Sequence, residues 1–400
     1  MNSSIDNDQI STAPDISANQ FGRATGEIAP ASSPDFVSEE DNKKSRRSGG
    51  ARGKAVVLFN LLFSGTVLAI VLFGTGLYLG KQSFDAPGPL KADKTVLIAK
   101  GAGLNSITDI LERNRVIDQP LLFKMGVRAY KAQKNLKAGE YAFSKAMSMH
   151  EVMETLTSGK SILYAFTAPE GLTSVQIFAR LANNKVLTGD MPALPPEGAM
   201  LPETYSFQRG DSREKVVKQM LSDQKKALAE IWAKRAPNLP ISTPEELVTL
   251  ASIVEKETGV ASERPLVASI FINRLNKGMK LQSDPTIIYG IFGGEGKPKG
   301  RPIYRSDIDK PTPYNTYTIP ALPPGPIANP GKAAMEAVAH PAKSEFLFFV
   351  ADGTGGHVFA KTLQEHEANV VKWRQIEKQR AAEAANTKKT EDKKPEAPKE

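Results

Sequence analysis

The chain has 400 residues, with 52 Lys plus Arg against 44 Asp plus Glu, a net charge of +8 and a hydrophobic fraction of 40%. That length suits about two to three domains, and that composition is globular rather than disordered throughout. There is no Cys, and the four His (His150, His340, His357, His366) form no H-E-x-x-H pair, which excludes disulfide scaffolds and thiol enzymes and argues against a zinc hydrolase.

Residues 1–54 are rich in Ser, Asn, Asp, Ala and Gly without helical or strand period, and are expected to be disordered. Ala55–Gly80 carries no charge over 26 residues, long enough to span a bilayer with some tilt. A signal core is only about 7–15 residues and starts near the N-terminus, so the run is read as an uncleaved single-pass anchor. Lys43, Lys44, Arg46, Arg47, Arg52 and Lys54 precede it while Lys81 stands alone after it, which places residues 1–54 in the cytoplasm and the rest outside. The basic excess gathers in that cluster and in the C-terminal tail, so nucleic acid is not an expected partner. Gly76 and Gly80 match a helix-dimer spacing, a weak signal on its own.

Residues 81–93 read as a linker. A small α+β unit follows over 94–165, with a strand at Thr95–Lys100, helices at Ser106–Asn114 and Pro120–Ala132, and an alternating strand at Ala138–Phe143. Ser148-Met-His-Glu151 is a capping box for a helix ending near Gly159, and Ile162–Thr167 suits another strand. Over 166–240 the pattern is more helical: Thr173–Gln176 is a second capping box, Leu201–Phe207 is an interruption, and Asp211-Ser-Arg-Glu214 opens a helix to about Arg235.

Thr243-Pro-Glu-Glu246 is a complete helix start, for a helix to about Thr258 that stops at Gly259. A further helix is expected over Pro265–Lys277, with Gly278 as its stop. Residues 309–331 are too rich in Pro, Tyr, Asn and Thr for helix, and a long ordered loop usually has a functional reason. Phe346–Ala351 and His357–Ala360 flank a Gly-rich turn and read as a hairpin, and residues 374–400 as a disordered charged tail.

Candidate chemistry lies in this last block. With Leu247 as zero at 100° per residue, Leu250, Ala251, Val254 and Thr258 fall within about 60°, while Glu255 and Glu257 land near +80° and −80°, at opposite edges of the apolar stripe. A carboxyl at such an edge is partly desolvated, which favours its protonated form, but the wheel does not choose between the two. Glu263, Asp284, His340 and His357 are further candidates. The chain carries no G-x-S-x-G elbow, P-loop or dinucleotide fingerprint, and no metal or cofactor is expected.

Leu250-Ala-Ser-Ile-Val-Glu255-Lys-Glu257-Thr, Ser262-Glu-Arg264, Val267–Leu275, Leu281-Gln-Ser-Asp-Pro-Thr286, Pro313-Tyr-Asn-Thr-Tyr317, Leu322–Ile327, His340-Pro341 and Phe349–Asp352 ahead of His357 occur in one order and spacing. Together they resemble the endolytic murein transglycosylases of the MltG/YceG-like family, over about 94–373. The resemblance implies an α+β protein with a single N-terminal transmembrane helix, a LysM-like subdomain at 94–165 and a mixed α+β catalytic domain at 166–373. It implies a lyase facing the periplasm from the inner membrane. Such an enzyme cuts the MurNAc-β-1,4-GlcNAc bond within nascent glycan strands, leaves 1,6-anhydroMurNAc ends and terminates elongation. By the resemblance Glu255 is the catalytic acid/base and Glu257 is supporting, as are Glu263, His340 and His357. Gln282, Asp284, Tyr314, Asn315 and Tyr317 would line the glycan cleft, with Glu203 and Tyr205 in a segment where the family often carries Asp in place of Glu203. Glycan strands, the inner membrane and a peptidoglycan synthase are the implied partners. The reading from a different class is a non-catalytic peptidoglycan-binding scaffold.

Overall fold

The computed structural model describes residues 49–391, so the tail expected at 1–54 lies outside the described residues as far as residue 48, as do residues 392–400. Helix α1 (Gly49–Asp85) contains the whole uncharged run, with exposed side chains from Val56 to Leu79. It is long and apolar enough to cross a membrane. A stretch that is apolar on every side and exposed along its length suits hydrocarbon rather than water. By its contacts the chain divides after Gly74, and the elements below belong to the unit that starts at Thr75.

Strand β1 (Lys94–Ile98) is followed by α2 (Leu104–Arg113) and α3 (Pro120–Ala129) before β2 (Gly139–Phe143) returns antiparallel, with Val96 opposite Tyr141. Strand alternation sends Val96 and Ile98 inward and leaves Leu97 outside. They meet Leu111, Phe123, Tyr141, Phe143 and Val152 in one core. Helix α4 (Met149–Ser158) starts on the expected box, in which Ser148 and Glu151 exchange hydrogen bonds, and ends at Gly159 in the left-handed region, φ 72°.

Strand β3 (Tyr164–Thr167) leads to α5 (Ser174–Ala182), which the Thr173–Gln176 box caps. Residues 201–207, expected only as an interruption, contain strand β4 (Thr204–Phe207), antiparallel to β3 with Tyr205 opposite Phe166. Tyr205 and Phe207 point inward while Thr204 and Ser206 are exposed, the period that makes this segment a strand. The cap of α6 (Arg213–Lys234) is Ser212, one residue later than expected. Asp211 is occupied elsewhere: its carboxylate takes Lys100 Nζ at 2.7 Å and Lys215 Nζ at 2.8 Å, and accepts from the Gln208 N–H. With Arg209–Glu140 at 2.9 Å and Gln208–Ser161 at 2.6 Å, this pair fastens the β1–α4 region to the rest.

Helix α7 (Pro244–Glu257) starts at Thr243, whose hydroxyl accepts from Glu246 N–H, but the returning arm of the box goes from Glu246 to Ser242 N–H. Every side chain from Leu247 to Val254 is buried. The helix has no single apolar stripe because α6, α8 (Arg264–Asn276) and α11 (Lys332–Ala339) surround it. Helices α9 (Asp284–Phe292) and α10 (Arg305–Ile308) precede the irregular 309–331 segment. Short α9 and α11 carry too few turns for their period to stand out in sequence. Strands β5 (Phe348–Ala351) and β6 (His357–Ala360) form the expected hairpin. Helix α12 (Leu363–Glu391) then runs through the first part of the tail expected to be disordered from 374, as its Ala, Glu, Lys and Arg content permits. The described residues thus form a mixed helix and strand protein with three two-stranded antiparallel sheets.

Burial opposes the ionisation of Asp211, whose side chain is 1% exposed, but Lys100 and Lys215 more than compensate and hold its pKa at about 2. A depressed carboxyl stabilises the fold above its unfolded pKa, and that contribution fades as pH falls through about 2. Asp211→Asn is expected to cost about 2 kcal/mol at pH 7 and close to nothing at pH 2, read from denaturant unfolding at both values.

Candidate active site

The last turn of α7 carries two glutamates about 200° apart around the helix, and the structure gives them different surroundings. Glu255 Oε2 accepts the Gly331 N–H at 3.0 Å, and Oε1 lies 3.8 Å from Arg264 Nη2. Arg264 also lies 3.6 Å from Glu170, which fills the space beside Gly331 that a Cβ would need. Lys256 donates to Gly171 O at 3.1 Å. Burial raises the Glu255 pKa, the Gly331 N–H opposes that rise, and Glu170 adds to it. Only 6% of the Glu255 side chain is exposed, and together Glu255 and Lys256 tie the end of α7 to the loops at 329–331 and 170–171.

Glu257 faces the other way, toward the 281–286 and 314–317 segments. Ser283 Oγ donates to its Oε1 at 2.5 Å. Burial pushes the Glu257 pKa up to about 7; Ser283 pulls it down, Asp284 pushes it up, and His357 and Arg274 pull it down. Ser283 is itself held, since its N–H donates to Thr316 Oγ1 at 2.9 Å and its carbonyl accepts from Thr286 Oγ1 at 2.6 Å. Gln282 adopts a left-handed backbone, φ 54°, which a non-glycine residue takes only when its surroundings impose it. Buried Arg274 supplies that restraint by donating to Leu281 O at 2.8 Å and Lys280 O at 3.2 Å, with Gln282 Oε1 at 3.4 Å. Exposed Asp284, at the first position of α9, accepts from Tyr317 Oη at 2.7 Å. Burial, and next the bond to Asp284, push the Tyr317 hydroxyl pKa up, so it stays a donor.

Of the residues singled out in sequence, Glu257, Gln282, Asp284 and Tyr317 therefore come together. Glu263 and His357 stand behind them as a pair, with His357 Nδ1 2.7 Å from Glu263 and the His357 N–H 2.8 Å from it. Burial opposes the ionisation of Glu263, yet these bonds hold its carboxyl below the usual range.

Other expected residues sit elsewhere. Asn315 is fully buried, donates to Ile308 O and Lys310 O and accepts from Tyr317 N–H. It braces the loop, and none of its surface is exposed to a sugar. Tyr314 packs edge-on against Tyr289 with centroids 4.8 Å apart. Tyr205 is 6% exposed and donates internally to Leu201 O at 2.7 Å. With Glu203 and Lys332, which lie 3.6 Å apart, it lines a separate cavity of about 600 Å³. His340, at the end of α11, lines another of about 470 Å³ beside Arg264 and Lys234. Ser283, Arg274, Glu170 and Thr316 were not singled out. Arg274, an isolated cation in an otherwise apolar helix run, is the one that sequence could have flagged.

The sequence pattern of the YceG-like family matches residues 96–372. The chain belongs to the YceG-like family. It is 34% identical over 334 residues to the endolytic murein transglycosylase of Bacillus subtilis strain 168, covering 74% of this chain and 89% of that protein. It is 30% identical over 368 residues to the endolytic murein transglycosylase of Streptococcus pneumoniae strain D39, covering 79% of this chain. The match spans about 65% of the pneumococcal protein's length. A crystal structure of a YceG-like protein from Listeria monocytogenes is similar at 31% identity, covering 70% of this chain and 99% of that one, with a TM-score of 0.42. The family match takes in both glutamates of α7 and the 281–286 and 314–317 segments.

A carboxyl whose folded pKa stands near 7 destabilises the fold as pH rises from its unfolded value, about 4.5, through 7. Glu257→Gln keeps an oxygen to accept from Ser283 and never ionises. It is expected to melt several degrees above wild type at pH 8 and close to wild type at pH 4.5, measured by calorimetry at both values.

Proposed function

We propose that this protein is a lytic transglycosylase of peptidoglycan, and that Glu257 rather than Glu255 is its acid/base. The names of its relatives support the activity. The observation that carries the residue is the Glu257 carboxyl, poised near 7, fixed by Ser283 and flanked by Gln282, Asp284 and Tyr317. Glu255 has its oxygens turned to Gly331 and Arg264 instead.

The bond cut is the β-1,4 linkage from MurNAc to GlcNAc inside a nascent strand. Protonated Glu257 gives its proton to the bridging oxygen, and the C1–O bond breaks. The muramic C6 hydroxyl attacks C1 to close a 1,6-anhydro ring, and its proton returns to Glu257. No water is consumed, so no second carboxylate is needed to activate one, in contrast to a two-carboxylate glycosidase. A pKa near working pH suits a group that must give and then take one proton. With Ser283 donating to Oε1, the acid proton is directed to Oε2. Gln282 and Asp284 are exposed polar groups beside it. Tyr317 adds a ring and the Asp284 bond to the same wall.

Residues 55–80 anchor the chain in the inner membrane, and the preceding basic cluster keeps the N-terminal tail in the cytoplasm, leaving the enzyme in the periplasm. The strand–helix–helix–strand order of β1–α2–α3–β2 supports a LysM-like role in holding the glycan. A synthase making the strand is the natural neighbour of an enzyme that ends it.

The test uses the full chain in detergent with peptidoglycan glycan strands, products read by mass spectrometry. Wild type and Glu255→Gln are expected to make internal cuts with 1,6-anhydro ends, and Glu257→Gln to lose at least about 10²-fold in kcat. Loss in Glu255→Gln with activity retained in Glu257→Gln would overturn the assignment; reducing ends would mean hydrolysis. Wild-type activity should fall as pH rises through about 7, the proton being required on Glu257. Ser283→Ala removes a bond to the ionised form. It should lower kcat by about tenfold with KM unchanged and move that pH limb upward.

A further inference from the structure

Where the apolar run ends, the last turns of α1 cross α3. Phe84, 3% exposed, packs on Gly126, where a Cβ would collide with its ring. A Cβ added at Gly80 would come within 3.8 Å of Leu122. Between the two helices lies an open groove of about 430 Å³ whose lining includes Leu77, Gly80, Phe84, Leu122, Met125 and Tyr130. Its floor is kept low by Gly76 and Gly80, the small residues whose spacing resembles a dimer motif.

The outer face of α3 continues this apolar surface. Phe123 and Val127 are fully buried, yet Leu121 is 74% and Met125 63% exposed. With exposed Ala129 they make a row at i, i+4 and i+8, where a water-facing helix would carry charge. Tyr130 closes the row at 46% exposure and stacks on Phe84 with centroids 6.0 Å apart. From residue 119 to 139 there are five cations (Lys124, Arg128, Lys131, Lys134, Lys137) and no acidic residue. On α3 itself Lys124 and Arg128 flank the apolar row, and an apolar row flanked by cations suits the boundary between acyl chains and anionic headgroups.

We infer that this groove binds one hydrocarbon chain of an anionic phospholipid, and that α3 rests in the outer surface of the bilayer. The inference rests on the reading of residues 55–80 as the membrane span. That run ends at Gly80, and Phe84 stands about 6 Å further along the helix at 1.5 Å per residue, within the depth of the interfacial layer. The groove therefore opens at the height where a lipid chain meets its headgroup. Tyr130 suits that level, because an amphipathic ring settles at the membrane–water boundary. The consequence is that the β1–α4 region is seated on the membrane at a second point besides the anchor.

The chain has no cysteine, so single Leu68→Cys, Leu121→Cys, Met125→Cys and Leu194→Cys variants of the full chain take one environment-sensitive fluorophore each. They are reconstituted in nanodiscs of phosphatidylglycerol and phosphatidylcholine, with lipids brominated on the acyl chain as quencher. The expected result is a blue shift and loss of emission at positions 121 and 125, as at 68 in the span, with 194 unquenched. Quenching at 68 but not at 121 or 125 overturns the inference and leaves the anchor standing. An unquenched 68 overturns the anchor reading, and the inference with it. Equal quenching at 121 and 125 in pure phosphatidylcholine overturns the anionic headgroup.

Discussion

The site depends on the enclosure of α7. From Leu247 to Val254 the helix has no face left for water, and it emerges from the core only at its two ends. A carboxylate placed there is held by a rigid rod yet stands beside low-dielectric surroundings, and burial, the largest of several influences, moves Glu257 to about 7 against the opposing pull of Ser283, His357 and Arg274. The cost falls on stability at neutral and alkaline pH, and it is a cost that a site requiring a neutral carboxyl cannot avoid.

Positioning comes from a second buried element. Arg274 projects from α8 and donates to the Leu281 and Lys280 carbonyls, while its Nε donates to Leu347 O at 2.7 Å. One guanidinium thus joins the β5 approach to the 280–282 turn, with its five fixed donors shared among several acceptors. That turn forces Gln282 into the left-handed region and points Ser283 at Glu257. The Thr286–Thr316 contact at 2.8 Å closes the same network from the 314–317 loop. Ser283 and the 280–282 turn are therefore oriented by partners buried further in, as a preorganised site requires.

Local signals were legible in the sequence wherever one turn of chain determined the outcome. Both capping boxes, at Ser148 and Thr173, form as read, because their partners lie three residues apart. The hairpin around Asp352 and the strand–helix–helix–strand order of residues 94–143 follow from alternation and turn residues alone. What sequence could not settle was the choice between two glutamates placed symmetrically about a helical wheel. The contacts that break the symmetry come from Gly331, 76 residues away, and Ser283, 26 residues away. The wheel also presumed a single apolar stripe, which fails for a helix enclosed on every side. The burial of Asn315 was illegible for a related reason: a polar residue in a Pro-rich loop suggests exposure, yet here the backbone of Ile308, Lys310 and Tyr317 encloses it.

The most direct measurement is the ionisation of Glu257 itself, followed as the protonated carboxyl C=O band in infrared difference spectra between wild type and each of Glu257→Gln and Glu255→Gln across pH 4 to 9. Glu197, which burial also pushes up to about 7, is present in all three proteins and cancels. The account predicts a band titrating near pH 7 in the wild type minus Glu257→Gln difference and none titrating there in the wild type minus Glu255→Gln difference. No such band in the Glu257→Gln difference, or its appearance in the Glu255→Gln difference instead, would contradict it.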